Sequence, residues 1–135
     1  MVVEVGISEG PLAAGRPLAC EGAGAILLFE GIVRPSEDGR LIAGLHYEAY
    51  EPMAQSVLTQ LSQEIVRRHD LLALRVEHSR GHVPGGRCSF RLQIASRHRK
   101  EGIAAMDEFI DRLKQDVPIW KTPVSATGRQ SGGGA

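Results

Sequence analysis

Two stretches of the chain hold residues whose types and spacing could do chemistry. The first is SRHRK, in which Arg97, His98, Arg99 and Lys100 follow one another at the expected first turn of a helix. A helix start carries a partial positive charge and unpaired backbone N–H groups, so each cation there costs roughly a few tenths of a kcal/mol. That charge has a use if an anion binds, because the free amides, His98 and Arg99 then converge on it, and a phosphate fits such a place. A solvated basic corner, partly offset by Glu101, is the plainer alternative.

The second stretch is RLKQDVPIWK. Lysine occurs only at positions 100, 114 and 121, and two of these flank one helix stop at Pro118. Lys114 follows Ile110 by four residues, which sets it beside the apolar stripe of its helix and predicts a half-sheltered side chain. In an extended IWKT, Lys121 shares a face with Ile119 and can return toward the helix end. Two ammonium groups held close in a partly dry pocket favour an amine fit for proton transfer or covalent chemistry. The alternative is that Lys114 snorkels and pairs with Asp107 or Asp111.

Other constellations are weaker. His78, His82 and Cys88 surround a turn signal with no fourth ligand, so no metal site is expected. There is no nucleophile elbow and no glycine cluster of P-loop spacing. Glu48 and Glu51 in HYEAYEP read as a wet strand face and a helix start. The terminal GGGA is similar to the Gly-Gly end of ubiquitin-like carriers, but it closes on Ala135 and the upstream pattern differs. With 135 residues, 42% hydrophobic, 24% charged and a formal net charge of zero, the chain suits one globular domain whose modest core would gain from oligomerisation. Neutral charge argues against a general nucleic-acid binder, and 4% aromatic content supplies no stacking platform. The N-terminal MVVEVGISEG lacks a basic leader with an apolar region, and no apolar run approaches the ~20 residues of a bilayer span, so a cytoplasmic location is expected. Cys20 and Cys88 form no CxxC; Cys88 reads as a small buried hydrophobe.

The elements that must position these residues follow from periodicity. Val2 to Ile7 is β-prone, and EGPLAAGRPLACEGAG is too broken for a long helix. The continuous apolar run from Gly24 to Val33 predicts a buried strand, with Arg34 where it opens into the turn PSEDGR. Ala43 to Tyr50 reads as the returning strand. From Glu51 to His69 the period changes, with Met53, Val57, Leu58, Leu61 and Ile65 on one helical face. LALRVEHSRG and RCSFRLQIAS flank VPGG as a hairpin; in its second strand Cys88, Phe90, Leu92 and Ile94 alternate with Ser89, Arg91 and Gln93, predicting one buried and one wet face. A second helix is expected from Arg99 to Asp116, with Ile103, Met106, Ile110 and Leu113 as its core stripe and Phe109 widening it. IWKTPV is a last short strand. The fold class is therefore α+β, a mainly antiparallel sheet with two main helices, over a domain 1–124 followed by a flexible tail 125–135.

Taken together, GAGAILLFEGIVR, LHYEAYEPMA, the hairpin, SRHR and DRLKQDVPIWK, from Gly22 to Lys121, give the sequence its likeness: it resembles the MoaE family, the large catalytic subunits of molybdopterin synthase. The resemblance implies an α/β hammerhead fold and a homodimer with a small subunit at each end, a heterotetramer. It implies a sulfurtransferase that converts cyclic pyranopterin monophosphate to the dithiolene of molybdopterin. Sulfur would arrive as a thiocarboxylate on the Gly-Gly tail of a small ubiquitin-like sulfur carrier inserted into a pocket of the large subunit. By the same resemblance Lys114 matches the essential lysine and Lys121 the second lysine of a PxWK motif. Arg34, His98 and Arg99 match the pterin and phosphate pocket, Phe29 an aromatic residue near it, and the pocket is completed across the dimer interface. No metal or redox cofactor is implied, and neither nucleic acid nor membrane is an expected partner.

One departure bears on function. Thr122 and Pro123 stand where the family usually places a basic residue and a glutamate, so a carboxylate that could orient a lysine is missing. Asp116 could replace it. Two further functions stay open: a dimeric scaffold that binds a ubiquitin-like carrier or a pterin phosphate without sulfur transfer, and a small phosphate-ligand domain unrelated to molybdenum cofactor.

Overall fold

The structure, a computed structural model, describes residues 2–126. Seven strands and two helices follow in the order β1 (Val2–Glu9), β2 (Ala25–Ile32), β3 (Ser36–Glu37), β4 (Arg40–Ala49), α1 (Met53–Arg68), β5 (Ala73–Pro84), β6 (Cys88–Ser96), α2 (Arg99–Asp116) and β7 (Ile119–Ser125). All strand pairs are antiparallel except β1 with β5. The α+β class with a mainly antiparallel sheet is thus the architecture observed. β7 carries regular structure through Ser125, and of the tail expected beyond 124 only that residue and Ala126 lie within the described residues.

The long strand β5 joins two sub-sheets. Its first part lies between β1 and β6, while its last part, from Gly81, pairs with β4, which in turn pairs with β7. The change of partner falls at Gly81, whose φ of +77° is one that residues with a Cβ rarely adopt. Both helices pack on one face of the β2–β6–β5–β1 part. Leu58, Leu61 and Ile65 of α1, Leu74 and Val76 of β5, Phe90, Leu92 and Ile94 of β6, and Ala105 and Phe109 of α2 form the main core. Fully burying one such side chain contributes roughly 1.5–3 kcal/mol.

Three expectations change. β2 is apolar but not buried: it pairs only with β6 at the sheet edge, and Ile26, Leu28 and Ile32 are about half exposed. A continuous apolar run does not report how many neighbours its strand will have. Second, the polar face of β6 is dry. The broken segment after β1 lies across it, so the Gln93 side-chain oxygen accepts the Leu18 N–H at 3.0 Å and Arg91 donates to the Ala13 carbonyl at 2.8 Å. Buried Arg91 is neutralised by Glu30 at 2.9 Å and Glu77 at 3.2 Å, as a buried cation requires. Third, the buried stripe of α2 is Gly102, Ala105 and Phe109, leaving Ile103 exposed. Gly102 sets that rotation: a Cβ there would collide with Leu27 and Ser96, so the helix start sits directly on β2 and β6.

Candidate functional site

The end of α2 and the start of β7 build the site together. Val117 leaves the helical conformation before Pro118, with φ −86° and ψ 124°, while its N–H still donates to the Leu113 carbonyl at 3.2 Å. The Pro118 carbonyl then accepts the Tyr50 N–H at 3.0 Å, which seats the new strand against the end of β4. In the register that follows, Lys121 lies directly opposite Tyr47 and Trp120 opposite Glu48. Successive side chains alternate, so Ile119 and Lys121 share a face, and Ile119 packs against the main core.

Between these elements opens a cavity of about 860 Å³. α2 lines it with Ile110, Leu113 and Lys114; β7 with Ile119, Trp120 and Lys121; β2 and the loop after it with Phe29 through Arg34; β3 with Glu37; β4 with Leu45 and Tyr47. His78 of β5 and Ser89 and Phe90 of β6 complete it. Four of the six residues singled out in the sequence, Phe29, Arg34, Lys114 and Lys121, therefore border one space. Phe29 is held edge-on to Phe90, with centroids 6.0 Å apart, and Phe90 stacks on the buried Phe109. Aromatic packing thus ties the cavity wall to the main core.

Arg34, Lys114 and Lys121 make no ion pair or side-chain hydrogen bond among the described residues, and Lys114 does not pair with Asp107 or Asp111. All three are exposed, where half-shelter was expected for Lys114. Of the two carboxylates at the cavity, Glu30 is bound to Arg91, leaving a net positive lining. Such a lining attracts anions, and the aromatic and aliphatic walls suit a flat apolar body attached to one.

His98 and Arg99 stand elsewhere. His98 precedes the first turn of α2 in extended conformation without a side-chain cap, and Arg99 opens the helix; both are exposed. Fifteen residues separate Arg99 from Lys114, a helical rise of about 22 Å. One chain alone does not bring them to the cavity.

Sequence reasoning missed three residues of the cavity. The Tyr47 hydroxyl and Ser89 Oγ are 2.8 Å apart, and burial pushes the tyrosine's pKa upward. His78 lies edge-on to Tyr47, with centroids 5.3 Å apart. Its Nδ1 lies 2.7 Å from the Ser79 carbonyl, an acceptor only, so Nδ1 carries the proton. Burial lowers the pKa of His78, partly opposed by that hydrogen bond. A signal for His78 exists in the sequence: it continues the Leu74, Val76 alternation of β5, and so belongs to the inward face. Among the described residues no group of His, Cys, Asp and Glu could hold a metal ion, and no helix is long and apolar enough to cross a membrane.

Comparison with known proteins adds to this geometry. Residues 8–116 match the family described as MoaE protein. The chain is 38% identical over 112 residues to molybdopterin synthase catalytic subunit 1 of Aedes aegypti, covering 82% of this chain and 72% of that protein. It is also 38% identical over 108 residues to the molybdopterin synthase catalytic subunit of Bacillus subtilis (strain 168), covering 80% and 69%. Among solved structures it is similar to molybdopterin synthase from Staphylococcus aureus, with a TM-score of 0.76, 32% identity and 85% of each chain covered. The complex of subunits 1 and 2 of molybdopterin-converting factor from Helicobacter pylori 26695 shares the fold at a TM-score of 0.74 and 24% identity, over 93% of this chain and 87% of that one.

Proposed function

The chain belongs to the MoaE family, and we propose that it is the catalytic subunit of a molybdopterin synthase that moves sulfur from a carrier's C-terminal thiocarboxylate to cyclic pyranopterin monophosphate. The observation that carries this reading is the convergence of Lys114, Lys121, and Arg34 with Phe29, from three separate segments, on one cavity. Phe29 and the neighbouring apolar wall take the pterin. Arg34 binds the phosphate and favours opening of its cyclic ester by stabilising developing charge. Lys114 steers the anionic thiocarboxylate and passes a proton, and Lys121 supplies a second acid. The attacking atom is the carrier's sulfur.

His98 and Arg99 join this scheme from a second copy of the chain. Homodimerisation places the α2 start of one protomer at the cavity of the other, and a small ubiquitin-like sulfur carrier docks at each end to give a heterotetramer. Unpaired cations at the α2 start support that arrangement, because the dipole penalty is relieved when a substrate phosphate arrives.

The scaffold alternative rests on Pro123. It follows Lys121 by two residues in β7 and so shares its face, which is where an orienting carboxylate would act. Incubating the purified chain with a thiocarboxylated small subunit and the cyclic pterin, then measuring dithiolene product, separates the two. Product at a rate comparable to an authentic synthase is expected; carrier and pterin binding without product would establish the scaffold.

A further inference from the structure

The cavity needs a proton acceptor that the cations cannot supply. When the carrier's sulfur bonds to the pterin carbon in place of the cyclic-ester oxygen, which leaves on its phosphate with the electron pair, that sulfur bridges the pterin and the carrier's terminal acyl carbon, and the product is a thioester. Leaving the sulfur on the pterin then requires water to cleave the acyl–sulfur bond. Lys114, Lys121 and Arg34 suit the stabilisation of negative charge and the donation of protons, but a water nucleophile has to lose one.

His78 has the required atom free. Among the described residues the only fully buried side-chain nitrogen or oxygen without a partner is Ser79 Oγ. His78 Nε2 also has no partner, so it is not sealed, and the open space beside His78 is the cavity. The Ser79 carbonyl fixes the proton on Nδ1, which directs a lone pair from Nε2. Tyr47, edge-on, and Phe90, at 5.8 Å between centroids, both pack against the ring. Burial keeps the imidazole neutral, and so able to accept a proton near neutral pH. Other acceptors are less suited: Glu30 is engaged by Arg91, and the Tyr47 hydroxyl is occupied with Ser89. Glu37, on the two-residue β3 between exposed Ser36 and Asp38, is the remaining competitor.

We propose that His78 Nε2 is the general base that activates water to hydrolyse the carrier–pterin thioester, an inference that rests on the proposed sulfur transfer. Nε2 takes one proton of the water as its oxygen bonds to the acyl carbon. The tetrahedral adduct collapses, the carbon–sulfur bond breaks, and its electron pair leaves with sulfur on the pterin. The carrier is released as a carboxylic acid, and the imidazolium gives its proton to the pterin thiolate or to solvent.

Single-turnover reactions of the full chain with thiocarboxylated carrier and cyclic pyranopterin monophosphate, followed by intact-mass spectrometry of the carrier, test this. His78→Gln is expected to slow thioester breakdown about 100-fold or more, so that the carrier–pterin adduct accumulates. His78→Ala is expected to behave alike and to regain turnover with added imidazole, and thermal melting checks that each variant is folded. Adduct breakdown at the wild-type rate in a folded His78 variant overturns the proposal. So does loss of product with neither adduct nor imidazole rescue, or adduct accumulation in Glu37→Gln in place of the His78 variants. If the wild-type chain forms neither adduct nor product, the sulfur-transfer reading fails and this inference falls with it.

Discussion

The two ends of α2 treat their positive charge in opposite ways. At the C-terminal end Lys114 faces a cavity already shared with Lys121, Arg34 and Phe29. At the N-terminal end Arg97 reaches Asp70 at 3.2 Å, while His98, Arg99 and Lys100 stand exposed without an ion pair among the described residues. The helix dipole favours a cation at the first of these ends and disfavours it at the second. Folding therefore assembles the lysine end, whereas on the proposed reading the arginine end is completed by association, with an anion and a second protomer. On that reading an isolated, folded chain would hold only the lysine part of the site.

Removing charge at each end in turn separates their contributions. Lys114→Ala should lower product formation about 1000-fold. Because the side chain is exposed and unpaired, the variant's melting temperature and urea midpoint should match the wild type. Arg99→Ala should act instead on substrate affinity. Losing one charge-assisted hydrogen bond to phosphate raises KM about 10- to 100-fold, an effect that added salt should shrink. Equal losses from both variants in the same kinetic constant would erase the distinction between the two ends.

The position of the arginine end depends on Gly102. Gly102→Val forces a side chain against Leu27 and Ser96. It should destabilise the fold by roughly 1–3 kcal/mol in urea titration, and should weaken phosphate binding more than it affects Lys114 chemistry. The smallest expected effect is pH-dependent. Burial holds His78 below its ordinary value of 6.5. As pH falls below about 6.5 the unfolded chain takes up a proton that the native imidazole refuses, so stability declines until the folded value is passed. Urea midpoints measured between pH 7.5 and pH 5 should show this slope in the wild type and a flatter one in His78→Gln.

Local pattern made much of this legible. The expected range of α2 is the observed one, and Ile119 and Lys121, on one face of β7, both border the cavity that the end of α2 also lines. Pro118 was enough to predict where the helix stops. What escaped was set by residues distant in sequence. Arg91 read as wet because its partners, Glu30, Glu77 and the Ala13 carbonyl, lie far from it along the chain. β2 read as buried because an apolar run looks the same at an edge as at a centre. His78 read as part of a turn because the change of partner along β5, at Gly81, follows from the pairing of β4. The roles proposed for Lys114, Lys121, Phe29, Arg34, His98 and Arg99 follow the family resemblance, and the fold brings the first four of them to one cavity.

Mixed dimers test the divided site most directly. Chains carrying Lys114→Ala and chains carrying Arg99→Ala, each inactive or crippled alone, are combined, and the mixed dimer is isolated by orthogonal tags and assayed with carrier and cyclic pterin. If each site takes Lys114 from one protomer and Arg99 from the other, one of its two sites is intact and about half of wild-type turnover returns. If turnover stays at the level of the parent variants, both residues serve the same protomer's site, and the division of labour between the two ends of α2 is contradicted.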